Sequence, residues 1–351
     1  MIGPIVMMSI NTSAVKSILR CVKPPIDLFV KSLLVVVLVF VYLLISGCEA
    51  SLNLDGVYSE RKKNIRRTDQ LQGITANQSV FAAVGAAGVV LTSNKSTLDW
   101  HRQYLEGRPA LVDITACPDN SLVILSIDKN IWRSIDNGKT WSVVSLPTQE
   151  DMIALACAPD NSIWVAGSFS TILFSKDNGK TWVEKTLNED AMLTSIQFVD
   201  ASHAIVTGEF GLVSHSSDGG VNWDAPRYIP DDFYVQTAVF TSFNNGWVGG
   251  LNGKILYTSD KGSTWQSQPT PTQSPIYGFY QLGPRLFAFG DHATILEYLN
   301  NQWVVLPNHN RPVYLRDAIA LSGNELLFVG GFGSLFTLNV QRAETAQLIK
   351  H

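Results

Sequence analysis

One short string recurs along this chain at a nearly constant interval, and the interval decides what the chain can fold into. The pattern S-x-D-x-G-x-T-W runs through Ser134, Asp136, Gly138, Thr140 and Trp141, and again through Ser175, Asp177, Gly179, Thr181 and Trp182. It returns as Ser216, Asp218, Gly220, Asn222 and Trp223, and as Thr258, Asp260, Gly262, Thr264 and Trp265. The aspartates are 41, 41 and 42 residues apart, and a decayed copy around Asn94 and Trp100 lies 42 residues before Asp136. A fixed period of this size marks a stack of supersecondary units, none of which can bury its apolar faces alone. Each residue type suits a tight hairpin turn. Asp caps backbone N–H groups, Gly accepts positive φ, Thr re-enters extended structure, and Trp covers apolar area between neighbouring sheets. On this reading the aspartates are structural and do no chemistry.

A second marker extends the count. Ahead of each box an apolar run ends in a turn of small residues, at Gly85, Gly167, Gly208, Gly250, Gly290 and Gly330, with Ser126 filling the second position. The first and last lie 245 residues apart, six intervals of just under 41, which makes seven units. Seven four-stranded units closing into a ring form an all-β, seven-bladed β-propeller, in which closure leaves only short protected edges. The fourth unit reads as strand A at 194–199, strand B at 203–207, strand C at 212–216 and strand D from Asn222. The seventh unit has no box and no fourth strand, so residues Val57–Arg67 are expected to supply that strand and latch the ring.

Composition agrees with a folded, exported β domain. The chain has 351 residues, 46% hydrophobic and 16% charged, which excludes disorder, and its net charge of −4 argues against a nucleic-acid binder. Lys16, Arg20, Lys23 and Lys31 precede an unbroken apolar run from Leu33 to Ile45, the order of a secretory signal. The run is short for a membrane-spanning helix. It ends in Ser46 and Gly47 directly before Cys48, a pattern that resembles a lipoprotein signal in which Cys48 is acylated; an ordinary cleaved signal or a retained anchor are the other readings. Translation could start at Met7 or Met8. Residues 48–351 carry 22 basic against 29 acidic side chains. The expected organisation is a signal or anchor at 1–47, a tether at 48–56, the propeller at 57–340 and a tail at 341–351. Cys117 and Cys157 sit 40 residues apart at equivalent places in neighbouring units and read first as two buried thiols, second as an inter-blade disulfide.

Propellers work where the B–C turns and D–A connections gather, the face opposite the boxes. Three consecutive D–A connections carry acidic pairs there, Glu150 and Asp151, Glu189 and Asp190, Asp231 and Asp232, which read either as solvated loops or as a docking patch for a cationic segment. Phe169, Phe210 and Phe332 occupy B–C turns and are candidate binding anchors, with packing between blades as the plainer role. His292 beside Asp291 is a weak acid–base candidate, since neighbours in a strand point to opposite faces. The basic run from Arg61 to Arg67 suits either anionic lipid headgroups or an edge strand guarded against further pairing. No phosphate loop, CxxC pair or HExxH motif is present, so no cofactor or metal is expected.

The recurring string is the Asp-box, or BNR repeat. Seven such units behind a lipoprotein-like signal resemble the photosystem II stability/assembly factor family, over roughly residues 55–340. The resemblance implies a non-enzymatic scaffold that holds a partner polypeptide near a membrane, and an arginine-rich surface patch that the linear sequence does not place; the chain itself is expected to be a monomer that binds no nucleic acid. Asp-boxes also occur in sialidases. An exported glycoside hydrolase is therefore the alternative, although the regular repeats leave no long insertions to build a sugar pocket and no arginine-cluster opening motif.

Overall fold

The computed structural model describes residues 24–45, 52–307 and 312–341. Cys48 and the tail beyond Gln341 lie outside the described residues. The chain forms two units, Met1–Tyr58 and Ser59–His351. In the first, helix α1 (Pro24–Ile45) exposes an apolar surface that includes Phe29, Leu33, Leu38 and Phe40. Helix α2 (Asp55–Arg61) follows, with Asn53 accepting the Asp55 N–H at 2.9 Å.

The second unit is a ring of seven antiparallel sheets, six of four strands and the seventh of three. Blade 1 is Leu71–Ala76, Val80–Gly85, Val89–Asn94 and Trp100–Tyr104, strands A to D from the axis outward. Each strand A packs on the strand A of the next blade, and that of blade 7 (Leu315–Ser322) packs on that of blade 1. Strands B are apolar on both faces because a neighbouring blade covers each face. Leu122 to Leu125 and Ile163 to Ala166 are buried without interruption. Trp164, Phe287, Phe289 and Phe328 fill the space between sheets.

The Asp-boxes are the C–D turns, and their polar groups are consumed inside the turn. Asp136 Oδ1 accepts from Ser134 Oγ at 2.8 Å and from the Thr140 N–H at 2.9 Å, while Oδ2 accepts from Thr140 Oγ1 at 2.6 Å. Ser134 Oγ takes the Gly138 N–H at 2.8 Å, and Trp141 Nε1 donates to the Gly138 carbonyl at 3.2 Å. Asp177, Asp218 and Asp260 repeat this set, and Trp182 and Trp265 donate to Gly179 and Gly262. Trp223 instead packs between blades 3 and 4 with its indole N–H unbonded. Hydrogen bonds from Thr140 and Thr181 hold the Asp136 and Asp177 carboxyls at about 2. Gly220 shows why glycine is needed in the string: φ is +89° and a Cβ would collide with the ring of Trp164.

Three expectations are corrected. Strand D of blade 4 is only Arg227–Tyr228, not a strand from Asn222, because the Asp224 N–H turns back to the His215 carbonyl at 2.8 Å and Pro226 has no N–H to give a ladder. The latch strand at Val57–Arg67 does not form. Residues 55–61 are helical, with Asp55 in the first turn and Arg61 in the last, the order the helix dipole favours, and Glu60 holds Lys63 and the Arg67 N–H. The ring is closed by irregular chain instead: Ile65 packs against the core cluster shared by blades 7 and 1, which includes Leu327 and Val329, and the Gly333 N–H donates to the Asp69 carbonyl at 2.8 Å. Ile65 stands six residues before Leu71, as Leu105 does before Leu111 and Leu187 before Leu193, so the apolar contact of a strand D end is kept without the strand. Cys117 and Cys157 are not two free thiols. They form a disulfide between adjacent A strands, with Cα atoms 5.1 Å apart, at the mouth of a cavity of about 640 Å³ on the box face.

Candidate docking face

The B–C turns all end strand B at a close crossing. At Gly167 a Cβ would collide with the carbonyl oxygen of Asp151, and that carbonyl accepts the Ser168 N–H at 2.9 Å. The D–A connection is thereby hydrogen-bonded to the B–C turn of the blade it enters. The same bond joins Glu209 to Met192 and Gly331 to Tyr314. Turn and connection together form one continuous surface, the upper face.

The turn geometry forces the middle residue into the left-handed region. Phe169, Phe210 and Phe332 have φ of 51°, 57° and 54°, and Ala87, Asn252 and His292 sit in the equivalent place. Bulky side chains rarely adopt this backbone, at a cost of roughly 1–2 kcal/mol per residue. The three phenylalanines gain nothing from burial in return, being 57%, 54% and 60% exposed. They do not pack between blades. Their backbone is the one the turn imposes on every blade that has it, and their apolar side chains stand in water.

Phe169 and Phe210 stand on adjacent blades 3 and 4, whereas Phe332 is on blade 7. Their blades have apolar company that the sequence reading missed: Ile127 in the blade 2 turn is 49% exposed and Leu251 in the blade 5 turn 50%. Both stand one residue ahead of the phenylalanine position, which is the signal that could have found them.

The six carboxylates of the acidic pairs do not act alike. Glu150 accepts from Ser168 Oγ at 2.9 Å, and Glu189 hydrogen-bonds the Tyr228 hydroxyl, whose titration is pushed up by burial first and by that carboxylate second. These two are half-buried. Asp151, Asp190, Asp231 and Asp232 are exposed; Asp151 lies 3.6 Å from Lys129. Asp231 and Asp232 have φ of 64° and 47° and rim a cavity of about 340 Å³ lined by Phe233, Tyr234, Leu251 and Lys254. His292 does meet Asp291, Nδ1 to Oδ2 at 3.2 Å, because both lie in a turn and not in a strand, but the imidazole is 69% exposed.

Across the ring the charge reverses. Arg66 Nη1 and Arg102 Nη1 donate to the Tyr104 hydroxyl at 2.9 and 3.1 Å, and the Arg108 guanidinium lies 4.5 Å from the ring centroid. Arg102 also pairs with the buried Asp69. Residues 36 and 42 positions from Arg66 meet only because the ring closes at this seam, so no linear pattern announces them. No group of side chains suited to a metal occurs among the described residues.

A family model described as Photosynthesis system II assembly factor YCF48 matches residues 182–279. Over that stretch the chain is similar to the photosystem II assembly factor family. The matched stretch covers under a third of the chain and contains two boxes, the last two acidic pairs and Phe210. Among solved structures, YCF48 from Cyanidioschyzon merolae superposes with a TM-score of 0.65 at 14% identity, covering 78% of this chain and 96% of that one. YCF48 bound to D1 peptide gives 0.66 at 14%, covering 78% and 93%. A catalytically inactive virginiamycin B lyase from Staphylococcus aureus with quinupristin gives 0.67 at 15%, covering 78% and 96%. At such identities the superpositions show the propeller fold alone, which the assembly factor and the lyase share. No curated protein sequence matches the chain.

Proposed function

We propose that this chain is a non-enzymatic scaffold that binds a partner protein or peptide on the upper face of its propeller, held at a membrane in an exported compartment by acylation of Cys48. The observation that carries the reading is the set of three exposed phenylalanines in left-handed turns on that one face. Exposed aromatics are the residues that anchor interfaces, and strained backbone is retained where a site needs it. A YCF48 structure holds a D1 peptide, which supports a peptide partner for a propeller of this kind. The Cys117–Cys157 disulfide supports an oxidising compartment.

The test is in-membrane cross-linking of the full chain against a variant with Phe169→Ser, Phe210→Ser and Phe332→Ser together. Cross-linked partner should disappear from the variant while its melting temperature holds; an unchanged cross-linking pattern overturns the reading. Turnover of a sialoside, a β-glucoside or quinupristin by the purified chain would overturn the non-enzymatic part. Metabolic labelling with a fatty-acid analogue, lost in Cys48→Ala, tests the tether.

A further inference from the structure

Four consecutive blades each present one large apolar side chain to water from the same turn: Ile127, Phe169, Phe210 and Leu251. Carboxylates alternate with them around the ring. Asp128 and Asp151 lie between the first two anchors, Asp190 between Phe169 and Phe210, and Asp231 with Asp232 between Phe210 and Leu251. All five are exposed. The opposing charge in this arc is Lys129, which Asp151 already faces, and Lys254 at the cavity. Beyond blade 5 the pattern stops: blade 6 offers His292 and blade 1 Ala87, and the seam at blades 7 and 1 is arginine-rich.

We infer that this arc, blades 2 to 5 of the upper face, is a docking track for an extended cationic segment of a partner, in which Lys or Arg residues alternate with apolar ones. The inference rests on the upper face being the docking surface and adds which sector is used and what chemistry fits it. Apolar anchors spaced one per blade select apolar side chains, and carboxylates in the intervals select the cations between them. A predominantly acidic sector opposite a basic seam also orients such a segment as it approaches, since the seam repels what the arc attracts. The cavity under Asp231 and Asp232 closes the track at blade 5, where a terminal apolar residue can enter against Phe233 and Leu251. Asp231 and Asp232, held at positive φ, keep their carboxylates at its mouth.

The measurement is fluorescence anisotropy of a labelled peptide of alternating Arg and Leu, titrated with the full chain in neutral detergent, beside an alternating Glu and Leu peptide and an Arg and Ser peptide. The Arg–Leu peptide should saturate, with affinity falling at least tenfold for each control peptide and declining as salt rises. Joint charge reversal, Asp151→Lys, Asp190→Lys and Asp232→Lys, should cost at least tenfold, as should Phe169→Ser with Phe210→Ser. Phe332→Ser, outside the arc, should change it by less than twofold. Thermal melts of each variant guard against unfolding. No saturable binding of the Arg–Leu peptide, equal binding of the Glu–Leu peptide, or an effect of Phe332→Ser as large as that of the arc variants would overturn the inference. The wider docking reading fails separately: if the charge-reversal variant keeps its membrane partner while the triple phenylalanine variant loses it, the face docks but the arc does not.

Discussion

Asp317 accepts the backbone N–H of Ile74 at 2.8 Å, so a side chain of the last blade is bonded to the first strand of the ring. Asp113 does the same for the Leu155 N–H at 3.2 Å, two blade boundaries further round. Each also accepts the N–H of its own successor, Ile114 or Ala318, at 2.7 Å. Burial drives both carboxyls up, to about 7 for Asp113, with Asp317 adding repulsion, and to about 6 for Asp317.

These two groups give stability a falling limb. An aspartate whose folded pKa lies above its unfolded value keeps its proton longer in the native state. Its favourable contribution is therefore complete below about pH 4 and is lost as pH rises through 6 and 7. Urea unfolding between pH 5 and 8 should show stability declining with pH, and Asp113→Asn should flatten that slope while lowering stability at pH 5, where one acceptor is lost.

His215 acts on the acid side. It is buried against Phe240 and Phe243 with Nε2 unbonded, and burial pushes it down to about 4. Its unfolded form takes a proton near 6.5 and its folded form does not, so stability is present above 6.5 and is lost as pH falls toward 4. His215→Phe should remove that loss in acid unfolding titrations.

The box aspartates add a second acid-labile set. Asp177 is held at about 2 by hydrogen bonds from Thr181, so its contribution is lost as pH falls from about 4 toward 2. Asp177→Ala should lower the melting temperature at neutral pH by freeing the Thr181 N–H and the Ser175 hydroxyl, whereas Asp190→Ala, exposed on the upper face, should leave it unchanged.

The seam should prove the weak point of the ring. Removing residues 1–70 strips Ile65 from the core cluster shared by blades 7 and 1 and leaves the Gly333 N–H without the Asp69 carbonyl. The melting temperature should fall, and Ile65→Ala alone should cost about 2 kcal/mol, the low end for an aliphatic truncation because the side chain is half-buried.

Phe210→Asn offers the opposite sign. Asn tolerates the left-handed backbone that Phe resists, so stability to urea should rise by up to about 1 kcal/mol while cross-linking of the partner drops.

How much of this was legible depends on whether a feature is local. The boxes and the Gly85-to-Gly330 spacing reveal seven blades because each turn writes its own residue requirements into eight or four consecutive positions. The short strand D of blade 4 escaped because Pro226 acts against a ladder partner seen only in three dimensions. Helix α2 won over the expected latch because Asn53, Asp55 and Glu60 satisfy a helix locally, while the ring needed from this segment only Ile65 and the Asp69 carbonyl. The acidic pairs were readable as charge, but that Glu150 and Glu189 are tied to Ser168 and Tyr228 was not. The arginines around Tyr104 come from two separate stretches, Arg66 from one and Arg102 and Arg108 from the other, and meet at the seam alone.

That seam also sets an order of events for folding. Gln70, Ile74, Tyr314 and Asp317 bond across 243 and 244 residues of chain. The entropy of closing so long a loop grows only logarithmically, about 0.6 kcal/mol per doubling of length, so the finished ring tolerates it. Kinetically it is different, since nothing can hold the first strand's inner edge until the last blade exists. A chain delivered from its N-terminus makes the clasp first and uses it last, and through that interval the edge at Leu71–Ala76 is the surface a chaperone would have to guard.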